Sequence, residues 1–134
     1  MNNTMLVKIT MPSETIFEAK AEMVNLPGSD GIFGVLPGHA KLIAKIAIGC
    51  ISVFLGGQEK KFFIYEGIAQ ITLLEVNIVS EFVMDLERQY KNEILNKITN
   101  LKTELEQSKK NSSEAKLLEY TITRYNSLLD FMGN

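Results

Sequence analysis

The sequence predicts an α+β fold in two parts, an N-terminal antiparallel β-sandwich over residues 1–83 and a C-terminal antiparallel α-helical hairpin over residues 84–134. In the first part apolar and polar residues alternate, which is typical of strands that bury one face. After residue 84 apolar residues recur every three or four positions, proline is absent and Gly133 is the only glycine. That second pattern is typical of amphipathic helices.

The strands of the first part are indicated by short β-compatible runs that turn residues separate. The runs are Met5–Thr10, Met23–Leu26, Cys50–Leu55, Lys61–Tyr65, Ile68–Leu74 and Val76–Phe82. Gly56 and Gly57 predict a hairpin between the third and fourth runs, and a second hairpin is expected to turn near Glu75. Short strands with frequent turns favour a sandwich or a barrel.

A glycine-rich segment, Leu26–Ala40, interrupts these runs, with glycine at positions 28, 31, 34 and 38. Two of these glycines follow proline, so the segment cannot form the interior of a helix. It is not a plain linker, because Ile32, Phe33 and Leu36 are apolar and favour burial. We therefore expect a sharply bent, packed surface loop that is presented to a partner.

The second part carries two apolar stripes at helical spacing. The first consists of Leu86, Tyr90, Ile94, Ile98, Leu101 and Leu105, and the second of Leu118, Ile122, Tyr125, Leu129 and Met132. A polar segment, 108–113, separates them, and Asp85 is expected to cap the first helix. Two interpretations stay open: a coiled-coil cap that packs permanently, or a mobile arm whose narrow stripes a partner can compete for.

Composition argues against several classes of function. The formal net charge is −2 without a basic cluster, so nucleic acid is not an expected partner. With one histidine, His39, and one cysteine, Cys50, we expect no catalytic triad, no metal site and no internal disulfide. The apolar runs are too short to span a bilayer, and the first residues lack the features of a signal peptide. These observations favour a non-enzymatic protein of the cytosol.

Several segments, in the correct order, resemble the epsilon subunit of F-type ATP synthases. They are Pro37-Gly38-His39-Ala40, Phe62-Phe63-Ile64-Tyr65 followed by Glu66-Gly67-Ile68-Ala69, and Val76-Asn77-Ile78-Val79. The resemblance implies a non-catalytic central-stalk subunit of a proton-translocating enzyme that binds the gamma subunit and the ring of c subunits. It also implies a hairpin that extends toward the alpha/beta catalytic head and opposes ATP hydrolysis. The implied location is peripheral, on the cytoplasmic face of the bacterial inner membrane.

The same resemblance covers the segment from Leu26 to Ile43 and assigns to it a contact surface for the c-ring or gamma. The assigned residues are Ser29, Asp30, Gly31, Ile32, Phe33, His39 and Leu42. Some members of the family carry an acidic residue where Ile32 stands. Asp30 is the nearest source of polarity here, and an apolar contact at Ile32 is the alternative.

A regulatory nucleotide is the remaining ligand that the resemblance raises. Some members bind ATP through an Ile/Leu-Asp-x-x-Arg-Ala motif and arginines on the second helix. This chain matches at Asp85 and Arg88 but departs at the first and last positions of the motif, and its second helix offers Arg124 alone. We therefore expect no cofactor, with weak regulatory ATP binding as the alternative, because fewer cations face the phosphates. A further alternative is that neither residue binds a nucleotide: Asp85 caps the helix and Arg88 is a solvated residue.

Two other functions stay open on the residues alone. One is an adaptor or chaperone-like module that joins a β body to a coiled-coil arm, and the other is a small ligand-binding sandwich. Neither requires the sequence Pro37-Gly38-His39 at the end of a glycine-rich bend. The sequence therefore favours the ATP synthase subunit.

Overall fold

The computed structural model describes residues 3–87 and 91–132. In that part of the chain ten strands precede two helices: β1 (Met5–Met11), β2 (Glu14–Ala21), β3 (Met23–Gly28), β4 (Gly31–Val35), β5 (Leu42–Ile46), β6 (Gly49–Leu55), β7 (Gln58–Ile64), β8 (Gly67–Ile71), β9 (Glu75–Val79), β10 (Val83–Asp85), α1 (Lys91–Gln107) and α2 (Ser113–Met132). The chain divides into two compact units, one ending at Glu87 and one containing both helices. The predicted fold class is confirmed.

The described strands form one sheet with the order β10-β7-β6-β3-β5-β8-β9-β1-β2, and β4 pairs with β3 off this path. Most neighbouring strands are antiparallel, as predicted. The exception is the pair β1 and β9, which run parallel. Parallel neighbours need a long connection rather than a tight turn, and most of the first unit separates these two strands. Local alternation therefore cannot reveal their pairing.

Alternate residues of the strands point into a shared apolar core. Val7 of β1 and Val76 of β9 are fully buried and directly paired. Phe17 of β2 and Phe62 of β7 contact each other with ring centroids 5.1 Å apart, which joins strands from distant parts of the sheet order. Burial of each large apolar side chain contributes about 1.5–3 kcal/mol, so the first unit contains its own stabilising core.

The predicted hairpin between β6 and β7 is confirmed. Gly56 and Gly57 occupy its turn with φ angles of 56° and 77°. Two consecutive positive φ values match the type I′ turn that suits the twist of paired strands. The Gly56 N–H also donates a hydrogen bond of 2.8 Å to Oε1 of Glu22, which fastens the turn to the start of β3.

The second predicted hairpin turns slightly earlier than expected. β8 ends at Ile71, β9 begins at Glu75, and the Thr72 N–H donates to the Glu75 carbonyl at 2.9 Å. Leu73 and Leu74 therefore lie in the turn, where both are exposed. Their apolar character made the strand pattern seem longer than the ladder that forms.

The expectation of a continuous loop over Leu26–Ala40 is wrong for its first half. β3 and β4 form a tight hairpin in which Gly28 pairs with Gly31 around the exposed turn residues Ser29 and Asp30. Gly31 has a φ angle of +127°, which residues with a side chain rarely adopt. Glycine and proline lower strand propensity, so the local pattern hides strands that pairing creates.

The second half of the segment, residues 36–41, does remain irregular. Its bend is attached to the β8–β9 turn, because the Gly38 N–H donates to the Leu73 carbonyl at 2.7 Å. Within the bend, the His39 N–H donates to the Leu36 carbonyl at 3.1 Å. The bend is therefore a packed connection to β5 and not a free loop.

The two helices form the predicted hairpin. Ile94 and Ile98 are buried on α1, and Ser112 Oγ accepts a 3.1 Å hydrogen bond from the Ala115 N–H, which caps α2. Near the end of α2 the buried residue is Leu128, one position before the expected Leu129. The buried residues of α2 therefore depart from strict heptad spacing toward the C-terminal end of the helix.

The expected capping role of Asp85 is wrong. Asp85 is the last residue of β10, which pairs with β7, and the described part of α1 begins at Lys91. The Asp85 Oδ1 atom instead accepts a hydrogen bond of 3.0 Å from the Glu87 N–H. Pairing with a neighbouring strand outweighs the capping preference of this residue, and the β region continues past residue 83.

We expect Gly28→Ala to lower the free energy of unfolding by about 1–3 kcal/mol, because overpacking forces the hairpin backbone to shift. A β carbon at Gly28 would lie 2.8 Å from a Phe33 ring carbon and 2.9 Å from the Gly31 carbonyl oxygen. Gly34→Ala is the matched control in the same hairpin. Its β carbon would meet only the Asn25 side-chain oxygen, at 3.0 Å, and a side chain can move aside more easily than a backbone carbonyl. Urea unfolding followed by circular dichroism measures the free energy of unfolding of both variants. Equal values for the Gly28 and Gly34 variants would contradict the tight hairpin.

Candidate functional site

A surface cleft of about 480 Å³ lies beside the β3–β4 turn, lined by residues 28–33 and 42–45. We call it the hairpin cleft. One wall is the turn with the start of β4, and the other is β5. The cleft thus forms between two segments that are separated in sequence by the irregular bend 36–41.

Main-chain hydrogen bonds hold the two walls in place. Gly28 pairs with Ile46 at the end of β5. The Ser29 N–H donates to the Lys45 carbonyl at 3.3 Å, and the Ala47 N–H donates to the Pro27 carbonyl at 2.7 Å. Because backbone atoms make these contacts, the cleft exists before any partner arrives, and little ordering is needed on binding.

Beside the exposed polar residues Ser29, Asp30 and Lys45, the cleft is lined by exposed apolar side chains. Ile32 exposes 78% of its surface, Ile43 72% and Leu42 43%. A single exposed apolar residue is ordinary on protein surfaces. Three that converge on one depression are instead typical of a site that contacts another molecule.

Six of the seven predicted contact residues come together in this cleft. They are Ser29, Asp30, Gly31, Ile32, Phe33 and Leu42. His39 does not line it; this residue belongs to the bend 36–41, and its Nδ1 atom hydrogen-bonds the Ala40 carbonyl at 2.7 Å. A histidine held by backbone in a connecting bend needs no chemical role to explain it.

The sequence analysis missed Ile43 and Lys45, which complete the β5 wall. The feature of the sequence that could have identified them is the alternation in β5, where Ile43 and Lys45 are exposed while Ile46 is buried. The resemblance extended to Ile43, but the contact residues assigned from it ended at Leu42. Recognition of β5 as a wall also required knowing that it lies against the end of β3.

A second exposed apolar surface lies on the outward face of β5, β8 and β9. Ile68 and Val79 are directly paired across β8 and β9 and are 55% and 54% exposed. Ile43 of β5 faces Gln70, which places it diagonally next to Ile68 on the same face. We call Ile43, Ile68 and Val79 the outer patch. Ile43 belongs to both the outer patch and the hairpin cleft, so the two surfaces are contiguous.

Of the three residues predicted for nucleotide binding, the structure describes Asp85 and Arg124. Asp85 ends β10 and receives the Glu87 N–H. On α2, the Arg124 guanidinium lies over the Tyr120 ring, 4.1 Å from the ring centroid, a cation–π contact. Arg88 lies outside the described residues.

Other reactive groups are few in residues 3–87 and 91–132. No three side chains of the metal-binding types cluster there, and no helix there has the length and apolarity to cross a bilayer. Burial raises the pKa of the Cys50 thiol above its ordinary value, despite opposing contributions from Ser52 and Lys61. A raised pKa leaves less of the reactive thiolate at neutral pH.

Comparison with known proteins now identifies the family. Residues 4–85 match the family described as the ATP synthase delta/epsilon chain β-sandwich domain. The chain is 37% identical over 97 residues to the ATP synthase epsilon chain of Rickettsia typhi, covering 70% of this chain and 88% of that protein. It is 34% identical over 108 residues to the epsilon chain of Rickettsia felis, covering 78% and 96%.

Solved structures agree on the fold. A chain in the Euglena gracilis mitochondrial ATP synthase, solved as an OSCP/F1/c-ring assembly, superimposes with a TM-score of 0.67 at 16% identity, covering 98% of this chain and 83% of that one. A chain of the Tetrahymena thermophila mitochondrial ATP synthase, from its central stalk and c-ring, gives 0.53 at 10% identity, covering 96% and 92%. At such identities the likeness shows the fold alone. The family match and the Rickettsia relatives carry the assignment: this chain belongs to the ATP synthase delta/epsilon family, among the epsilon chains.

Proposed function

We propose that this epsilon chain couples rotation between the gamma subunit and the c-ring of a proton-translocating ATP synthase and restrains ATP hydrolysis through its helices. ATP synthesis and proton transport are activities of the whole complex, in which this chain is a structural subunit without catalytic residues of its own. The observation that carries the proposal is the pair of contiguous, exposed apolar surfaces on one rigid β unit. A rotor component needs two such contacts, because torque must enter at one surface and leave at another.

The hairpin cleft is the proposed contact with the c-ring. Its walls are held by backbone hydrogen bonds, and its rim exposes Ile32 and Ile43. The relatives solved within c-ring assemblies support this choice of partner. The chain would then lie peripherally at the cytoplasmic face of the bacterial inner membrane, held there by the c-ring.

The outer patch is the proposed contact with gamma. Ile68 and Val79 form an exposed apolar pair, and on the same face Asn77 lies on β9 with Lys8 paired to it on β1. An apolar centre with a polar surround is the usual anatomy of a stable protein interface. Because Ile43 links this patch to the cleft, gamma and the c-ring would bind side by side.

We expect Ile68→Asp to weaken binding of purified gamma by about tenfold or more, since it places a charge at the centre of an apolar interface. Leu117→Asp on α2 is the matched control, because Leu117 is an equally apolar residue with 64% exposure. Calorimetric titration of each full-length variant with gamma measures the effect. Unchanged affinity for the Ile68 variant would place gamma elsewhere.

The helical hairpin is the proposed regulatory arm that opposes hydrolysis at the alpha/beta head. Its described helices bury only two side chains on α1 and five on α2, and its polar connection is stabilised by the Ser112 cap. A seam of this size gives modest stability, because helix pairs depend on the apolar face that they bury. Grooves of the alpha/beta head can therefore compete for the same apolar residues. The degree of inhibition then depends on how much more tightly the helices bind these grooves than they bind each other.

We expect a disulfide across α1 and α2 to reduce inhibition of ATP hydrolysis, because it prevents the helices from separating. The cysteines are placed near the contact of Lys97 Nζ with the Tyr125 ring, which are 5.9 Å apart, at positions with Cα atoms closer than about 7 Å. Cys50 is first replaced by serine to avoid mispairing. Hydrolysis by the head is measured with oxidised and reduced protein, and with the Cys50→Ser protein alone as control. Equal rates for the oxidised and reduced forms would mean that the arm is a permanent cap.

We also propose that nucleotide binding is weak, with a Kd above about 1 mM. Arg124, the described cation that could pair with a phosphate, already lies over Tyr120, and Asp85 already accepts the Glu87 N–H, so nucleotide binding would compete with existing contacts. Calorimetric titration of the full chain with ATP tests this, with Arg124→Lys as the charge-preserving control. Micromolar binding that Arg124→Ala abolishes and Arg124→Lys retains would overturn it.

A further inference from the structure

Another cavity, of about 560 Å³, lies at the β8–β9 turn and is lined by residues 4–6, Lys20, Lys41 and residues 72–75. We call it the turn cavity. It shares none of these lining residues with the hairpin cleft. Its volume lies in the range of sites that bind small molecules, so the chemistry of its lining indicates which class of ligand it fits.

Main-chain hydrogen bonds fix the walls of the turn cavity. The Leu6 N–H donates to the Leu74 carbonyl at 2.9 Å, which joins β1 to the turn. The Gly38 N–H donates to the Leu73 carbonyl at 2.7 Å, which joins the bend 36–41 to the same turn. The cavity is therefore preformed, and a ligand does not have to order its walls on binding.

The lining of the turn cavity carries an excess of one positive charge. Lys20 lies on β2 and Lys41 lies directly before β5, and β8, β9 and β1 lie between these two strands in the sheet. The lysines therefore approach the cavity from different sides. Glu75 is the one carboxylate of the lining, so two cations face a single anion. This balance favours a ligand with one negative charge.

The apolar part of the lining is formed by Leu6 and by the turn residues Leu73 and Leu74. Lys20 and Glu75 are the direct partners of Leu6 on the two neighbouring strands, so these three side chains share one face of the sheet. Leu73 and Leu74 are 55% and 50% exposed, although glycine and polar residues are the usual choice in tight turns. Exposed leucines that line one depression indicate contact with an apolar group.

We propose that the turn cavity binds a small amphiphilic monoanion, a carboxylate joined to an unbranched apolar chain, as a single molecule from solution. Lys20 and Lys41 attract the carboxylate, and Leu6, Leu73 and Leu74 contact the chain. Glu75 disfavours a second negative charge, which argues against a phosphate monoester. The site is independent of the proposed contacts with gamma and the c-ring, because it uses neither the outer patch nor the hairpin cleft.

The test is a titration of the ¹⁵N-labelled full chain with octanoate, followed through the amide signals in NMR spectra. The amides of Leu6, Lys41, Leu73 and Leu74 should shift and saturate with a Kd of roughly 0.1–3 mM, the range expected for a ligand of about ten non-hydrogen atoms. Acetate lacks the chain and octanol lacks the charge, so each should bind at least about tenfold more weakly than octanoate.

Substitutions separate the contributions of charge and chain. Lys20→Gln and Lys41→Gln should each weaken octanoate binding by about threefold or more, and so should an increase in KCl from about 50 mM to about 500 mM. Lys61→Gln, at an exposed lysine of β7 outside the cavity, is the matched control and should change the Kd by less than about twofold. Leu74→Asn should also weaken binding by about threefold or more while retaining the turn, because asparagine is a usual turn residue.

Several outcomes would overturn the site. They are shifts that do not saturate, shifts that spread equally over the hairpin cleft and the outer patch, and Lys20 and Lys41 variants that bind octanoate as tightly as Lys61→Gln. Flotation with vesicles of phosphatidylglycerol and phosphatidylcholine distinguishes a membrane surface from a free ligand, and vesicle binding without saturable octanoate binding would also contradict the proposal. All four substituted residues are exposed, so the spectra should remain unchanged away from each substitution.

Discussion

The hydrogen bonds between the end of β3 and the end of β5 are the constraint on which the binding end of this molecule depends. The Pro27 carbonyl accepts from Ala47, and the Lys45 carbonyl accepts from Ser29. Proline has no N–H to give, so Pro27 joins the two segments through its carbonyl alone. Close packing accompanies this bond, since a β carbon on Gly49 would lie 2.7 Å from the Pro27 β carbon. Glycine at the first position of β6 therefore lets that strand approach Pro27 at the end of β3.

This constraint converts a flexible sequence into a rigid surface. Glycine and proline usually lower the stability of strands, yet here they allow a tight hairpin whose exposed side chains have fixed positions. The apolar residues Ile32 and Ile43 remain exposed because the core is already filled by inward-facing residues of the same strands. A surface that is preformed in this way needs little ordering when a partner binds.

The helical unit follows a different physical principle. Its helices depend on a small apolar seam and on local features such as the Ser112 cap, while the β unit depends on a core assembled from most of its strands. A large core resists change because many contacts must break together, whereas a small seam can exchange one apolar partner for another. The chain thereby combines a β unit with a large core and a helical unit with a small seam, and the proposed coupling and regulatory roles make use of this difference.

The local patterns predicted the elements well where one buried face dictates the spacing. The alternation in β1, the Gly56-Gly57 turn and the stripe through Ile94 and Ile98 all identified their elements, because each depends on neighbouring residues in the sequence. The candidate residues from Ser29 to Phe33 lie together in the hairpin cleft because they are consecutive around one turn, and their contact with a partner stays a prediction.

Long-range pairing accounts for what the patterns did not show. The parallel ladder of β1 and β9, the strand character of β4 and the strand at Asp85 each depend on a partner strand elsewhere in the chain. Ile43 became part of the cleft for the same reason, because the end of β3 lies against β5. Periodicity records which face of a segment is buried, but the choice of neighbour depends on the combined packing of the whole sheet.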